Sequence, residues 1–230
     1  MSPIFCAIDT SDLAKARELA RKLSGHVGGL KLGLEFFTAH GPKGFADLKA
    51  MNTPLFLDLK LHDIPNTVAG AVRSLLPLEP DFITIHAGGG ATMIRAAMDA
   101  AHEATKHRPK ILAVTVLTSL DGKDLTQVGQ GSDLQEQVQR LALLAKECGA
   151  DGIVCAPSEV EKLRALLGPD MTLMVPGIRP SWAEAGDQKR IMTPQMAMKA
   201  GATYLVIGRP ITESGNPAQA AQRINEELSP

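Results

Sequence analysis

Eight short apolar runs recur along the chain, and between them lie segments whose apolar residues return at helical spacing. The runs are "IFCAID", "GGLKLG", "PLFLDLKL", "DFITIHA", "KILAVTVLT", "DGIVCA", "TLMVPGI" and "TYLVIG". The intervening segments include "SDLAKARELARKL", "ATMIRAAMDAAHEA", "DLQEQVQRLALLAKECGA", "SEVEKLRALLG" and "NPAQAAQRINEEL". Ser11 or Asp12, Ser158 and Asn216 stand where N-caps belong, and Gly149 and Gly168 where helices stop. Parallel strands require crossovers of this kind, and eight of them within 230 residues suit a closed (β/α)₈ TIM barrel. An open doubly wound sheet is the competing architecture. No low-complexity linker or shift of composition divides the chain, so one barrel domain over residues 1–230 is expected. The longest polar connections, Ser119 to Asp133 and Arg179 to Lys189, both follow strands, and long loops in compact domains tend to carry function.

Composition removes several classes of partner. Acidic and basic residues are interspersed and sum to a formal net charge of −1, which offers no basic footprint for nucleic acid and no polybasic membrane patch. An anionic ligand must therefore be held by local charge. Cys6, Cys148 and Cys155 show no C-x-x-C spacing and read as reduced core thiols, which suggests a reducing compartment. The opening "MSPIFCAIDTSD" enters a strand at once, and no run of about 18 apolar residues follows. A soluble cytoplasmic protein is expected.

Strand residues alternate between faces. In "FLDLKLH" Leu57, Leu59 and Leu61 share one parity, facing the helices, while Asp58, Lys60 and His62 share the other. The charged set then faces the barrel axis near the carboxyl end of the third strand, where barrel enzymes assemble their sites. The second strand repeats the pattern and turns Lys31 inward; the first places Asp9 at its carboxyl end, also facing in. Any one of these is an ordinary strand-end charge, but four sharing one geometry point to a site. His86 ends the fourth strand with inward parity, yet a lone histidine there reads as structural, and His62 stands at the strand's limit; both are left without a role. No histidine and carboxylate cluster has metal-ligand spacing, so no metal is expected.

The last two strands end in "VPGIRP" and "VIGRP", on the strands whose loops form the usual phosphate site of such barrels. Gly177 and Gly208 would admit close approach of backbone N–H groups, and Arg179 and Arg209 would supply forked, charge-assisted hydrogen bonds. The polar loop between Arg179 and Arg190 has the length of a lid, from which Gln188 could reach a bound ligand.

Four blocks, "DLKLHDIPNT", "VPGIRP", "DQKR" with its following "TP", and "VIGRPIT", together with "AIDTSD" and "GLKLG", give the sequence a clear resemblance: it is similar along essentially its whole length to the bacterial type of the orotidine 5′-monophosphate decarboxylase family. The resemblance implies conversion of orotidine 5′-monophosphate to uridine 5′-monophosphate and carbon dioxide, the last step of de novo pyrimidine synthesis, without cofactor or metal. It implies Lys60 as proton donor in a charged array with Lys31, Asp58 and Asp63. It also implies a homodimer in which Asp63, Ile64 and Thr67 reach the partner's active site. Asp9 and Lys31 would serve the ribose hydroxyls and Thr118 the pyrimidine edge, with Arg179, Gln188, Gly208 and Arg209 on the phosphate side; Pro176, in the same block as Arg179, is counted with the substrate-binding residues. The alternatives are a magnesium-dependent sugar-phosphate decarboxylase or aldolase of the same superfamily, which shares the spacing of Asp58, Lys60 and Asp63, and a catalytically silent nucleotide-binding barrel.

Overall fold

The computed structural model describes residues 2–183 and 192–228. All eight apolar runs are strands: β1 (Ile4–Ala7), β2 (Gly29–Gly33), β3 (Leu55–Leu61), β4 (Phe82–His86), β5 (Lys110–Val114), β6 (Gly152–Val154), β7 (Thr172–Val175) and β8 (Tyr204–Ile207). Each pairs in parallel with the next, and β8 pairs with β1, so the sheet closes into a barrel. The open-sheet alternative is thereby excluded.

Alternation along the strands sorts the core into two bodies. Outward residues such as Ile4, Leu30, Leu57, Ile83 and Ile153 join the helices in a continuous buried cluster. Inward residues Phe5, Phe56, Phe82, Leu112, Met174 and Val206 form a second, smaller cluster on the barrel axis, with Tyr204 packed against it. Its rings meet edge to face, Phe5 against Phe82 at 5.4 Å and against Tyr204 at 5.3 Å, a geometry worth about 0.5–1.5 kcal/mol per pair beyond burial. Room for Phe5 comes from Gly29 on the neighbouring strand, where a Cβ would stand 2.1 Å from the ring. This aromatic plug packs on the barrel axis, and its Phe56 and Val206 also line the cavity at the mouth.

The helices also follow local chemistry. Asp12 caps Leu13–Leu23 by accepting from the Ala14 and Lys15 amides at 2.8 and 3.1 Å, a contribution of about 1 kcal/mol. Asn216 does the same for Pro217–Leu228 through the Gln219 amide. Gly149 and Gly168 end their helices at φ +83° and +84°, a region that favours glycine. Ser158 is not a cap: Pro157–Glu159 forms a 3₁₀ turn first, and Glu159 reaches back to the Ala156 amide at 2.8 Å. The connection from Ser119 to Asp133 holds a short helix, Gly122–Gln127, with a capping box between Asp121 and Asp124. Cys6, Cys148 and Cys155 are buried free thiols. No helix among the described residues is long and apolar enough to cross a membrane.

Candidate active site

Parallel register brings the inward charges of three strands to one level. Lys31 pairs with Ala7 of β1 and Phe56 of β3, and Asp58 pairs with Gly33. The side chains then link in an alternating chain: Asp9 Oδ1 lies 3.1 Å from Lys31 Nζ, Lys31 Nζ 3.5 Å from Asp58 Oδ2, and Asp58 Oδ1 2.9 Å from Lys60 Nζ. Gly33 contributes space, since a Cβ there would meet Lys31 Nζ at 3.0 Å and Asp9 Oδ1 at 3.3 Å. The two central members, Lys31 and Asp58, are buried, while Asp9 opens to solvent. Burial is the largest single influence on Asp58 and pushes its pKa up, but the charges of Lys31 and Lys60 and hydrogen bonds from Lys60 and Thr84 together hold it below the ordinary carboxylate range.

Lys60 does not sit in regular strand geometry. Its φ is +51°, a sparsely populated conformation for an L residue that tends to mark functional sites. The pairing of β3 with β4 shifts register between Leu57 and Leu61, so the strand bulges where its charges stand. Thr84, fully buried on β4, lies under this bulge: it accepts from the Lys60 N–H at 2.8 Å and donates to Asp58 Oδ1 at 3.1 Å. Sequence reasoning missed Thr84, although its inward parity between Ile83 and Ile85 was readable.

Asp9, Lys31, Asp58 and Lys60 form one wall of a cavity of about 520 Å³ at the barrel mouth. Phe56, Val114, Val116, Val154 and Val206 supply apolar surface, and Thr118 stands on the side of the fifth strand. Pro176, Gly177, Arg179, Gly208 and Arg209 line the same cavity from the last two strands. Gly177 has φ +77°, in a region that favours glycine. Arg179 is buried and donates from Nη1 to the Ile178 carbonyl at 3.0 Å, while its N–H donates to the Met192 carbonyl. A bridge between Ile178 and Met192 fixes the two ends of the connection that follows β7. Gln188 lies outside the described residues.

Asp63, Ile64 and Thr67 are not in the lining of this cavity. All three are exposed at the start of the helix Pro65–Leu75; Asp63 Oδ1 accepts from the adjacent Ile64 amide at 2.6 Å, and the Ile64 side chain is 67% exposed. His62 falls just past the end of β3 and is exposed, so its parity does not bring it to the charged chain; its ring stacks on His86 at 4.9 Å with an interplanar angle of 12°. His86 Nδ1 accepts from the Gly88 amide. Burial first, then the charges of His62 and Lys60, lower the His86 pKa. Among the described residues no group of three or more His, Cys, Asp or Glu side chains is placed to hold a metal ion.

The cavity can hold an anionic ligand in two parts: an anion at the glycine and arginine turns, and a polar or charged group against the ammonium and carboxylate chain. Comparison with known proteins shows the family. A family model described as "Orotidine 5'-phosphate decarboxylase / HUMPS family" matches residues 2–224. The orotidine 5′-phosphate decarboxylase of Paramagnetospirillum magneticum is 56% identical over 232 residues, covering 99% of each chain. That of Rhodospirillum rubrum is 51% identical over 232 residues, covering 99% of this chain and 94% of the relative. The crystal structure of the orotidine 5′-phosphate decarboxylase from Lactobacillus acidophilus superposes with a TM-score of 0.88 at 37% identity, covering 100% of both chains.

Proposed function

The chain belongs to the orotidine 5′-phosphate decarboxylase / HUMPS family, and from that premise we propose that it converts orotidine 5′-monophosphate to uridine 5′-monophosphate and carbon dioxide, the last step of de novo pyrimidine synthesis. The observation that carries this reading is the Lys60 ammonium, 2.9 Å from Asp58 Oδ1 in a cavity whose far side is lined by Gly208 and Arg209.

In the proposed reaction the bond between the pyrimidine ring and its carboxylate breaks, carbon dioxide leaves, and the bonding electron pair stays on the ring carbon. Lys60 stabilises that charge as it develops and then delivers a proton to the same carbon, leaving a neutral amine that solvent reprotonates. Asp58 orients Lys60 and repels the substrate carboxylate more than the neutral carbon dioxide that departs. Asp9 and Lys31 take the ribose hydroxyls, Thr118 the pyrimidine edge, and Pro176, Arg179, Gln188, Gly208 and Arg209 the phosphate side.

The chain acts in this reading as one barrel domain that pairs into a homodimer in the cytoplasm, with Asp63, Ile64 and Thr67 entering the partner's site. The support is the exposure of Ile64, an apolar side chain at the rim of the mouth; sedimentation returning only monomer at assay concentration would remove this part. A magnesium-dependent sugar-phosphate enzyme is the less favoured reading, because Asp58 is already compensated by Lys31 and Lys60 and is poorly suited to a dication.

The test is to incubate the purified chain with orotidine 5′-monophosphate and follow the ultraviolet change, with and without a chelator. Turnover is expected in both. Lys60→Ala should lose about 10²–10⁴-fold or more in kcat, the range for a positioned proton donor, while still binding uridine 5′-monophosphate. Normal product formation by that variant overturns the proton-donor role, and saturation without product by the parent marks a silent binder.

A further inference from the structure

The proposed chemistry needs Lys60 and Asp58 held in one relation, and β3 breaks its own ladder at that point. Between the matched pairs Leu57–Ile83 and Leu61–Ile85, β3 carries Asp58, Leu59 and Lys60 where β4 has only Thr84. Regular pairing cannot accommodate this mismatch. The Lys60 N–H instead donates to Thr84 Oγ1 at 2.8 Å, and the same hydroxyl uses its one O–H to donate a hydrogen bond to Asp58 Oδ1 at 3.1 Å. Asp58 Oδ1 also receives Lys60 Nζ at 2.9 Å. One hydroxyl thus closes a ring that runs from the Lys60 backbone, through Thr84 and Asp58, back to the Lys60 ammonium. It supports the left-handed backbone of Lys60 and aims its side chain.

Thr84 is fully buried and is not part of the cavity lining, so it acts through its neighbours. We propose that Thr84 is a positioning residue, whose hydroxyl locks the β3 bulge and fixes Lys60 and Asp58 in the geometry that proton delivery requires. This rests on the reading of Lys60 as proton donor. Packing alone would ask only for a side chain of this volume, and valine would serve. The ring asks for the hydroxyl.

The experiment compares Thr84→Ser, Thr84→Ala and Thr84→Val with the parent for turnover of orotidine 5′-monophosphate, affinity for uridine 5′-monophosphate and thermal midpoint. Ser and Ala differ only in the hydroxyl, so the comparison stands even if the valine variant fails to fold. Expected is a fall in kcat of about 10–100-fold for Ala and Val, the scale of a small misplacement of a reacting group, with KM within about twofold. Ser should remain within about threefold of the parent. Loss of a hydrogen bond to a carboxylate favours its protonated form, so the acid limb of the kcat profile should move to higher pH in Ala and not in Ser. Equal kcat in Ser and Ala, or a loss confined to thermal stability, overturns the positioning role while leaving the function intact. A parent chain with no turnover removes both.

Discussion

Asp58 is the residue on which the charges of the site balance. A carboxylate this buried pays a desolvation penalty of several kcal/mol. Against it stand two ammoniums, at 2.9 and 3.5 Å, each offering on the order of 4 kcal/mol at an effective dielectric near 20. The ammoniums win, and the net shift is downward from 3.8. Because the folded state then binds fewer protons than the unfolded chain in acid, this contribution to stability is complete above the unfolded pKa. It is lost as pH falls through the lower folded value. His86 gives an earlier loss: its pKa is also lowered, from 6.5, so neutral His86 carries no penalty at higher pH, and the penalty grows as pH falls from about 6.5 to the folded value. Urea midpoints should therefore decline in two stages on acidification. His86→Gln, which cannot take up a proton, should flatten the stage that sets in as pH falls through about 6.5 and keep the one below about 4. Identical curves for parent and variant would show that His86 is not responsible.

At the scale of elements, period and parity carried a large share of what could be read without coordinates. Asp9, Lys31, Asp58 and Lys60 were expected to face one space because each stands at inward parity near a strand's carboxyl end, and they do link in one chain. The bulge was not legible, since the excess of β3 residues over β4 is a property of the pair and neither strand reveals it alone. Thr84 escaped notice for the same reason: a threonine between isoleucines is ordinary strand chemistry until its partner's amide leaves the ladder. Ser158 misled because a turn beginning at Pro157 displaces the helix start. The phosphate side lends itself to a direct test. Gly208 leads into the short helix Arg209–Thr212, and Arg209 reaches the cavity from an exposed position. Arg209→Ala should lower kcat/KM about 10–100-fold at low substrate, the value of a charge-assisted hydrogen bond or two, with the charged chain on β1 to β3 unchanged. Equal turnover by variant and parent at low substrate would remove Arg209 from the phosphate side.

Across the whole molecule the two ends of the barrel divide their work, the carboxyl end holding the strained and charged site and the amino end holding the strands in register. Asp81, Asp151 and Thr203 each precede an even-numbered strand, and each repeats one device. The side chain accepts from the Leu55, Ile111 or Leu173 amide of the preceding strand at 2.8, 2.8 and 3.0 Å, while its own N–H donates to that residue's carbonyl. Arg164 gathers the same end, donating to the carbonyls of Gly168, Met171 and Gly201 and to Thr203 Oγ1. Asp151 carries the most, since Arg108 also grips it through two hydrogen bonds. Asp151→Ala leaves the Ile111 amide without its side-chain acceptor, a loss of about 1–3 kcal/mol for a buried donor, and releases the Arg108 guanidinium besides. The thermal midpoint should fall by about 5–10 °C for a chain of this size. Arg108→Ala, which spares the strand amide, should cost about 1 kcal/mol or less. Both variants should keep the parent's kcat at temperatures well below their midpoints, because Asp151 and Arg108 stand outside the cavity lining at the other end of the barrel. An Asp151→Ala midpoint equal to the parent's would show that the amino end does not depend on this device, and a fall in kcat with unchanged stability would show that the two ends are coupled.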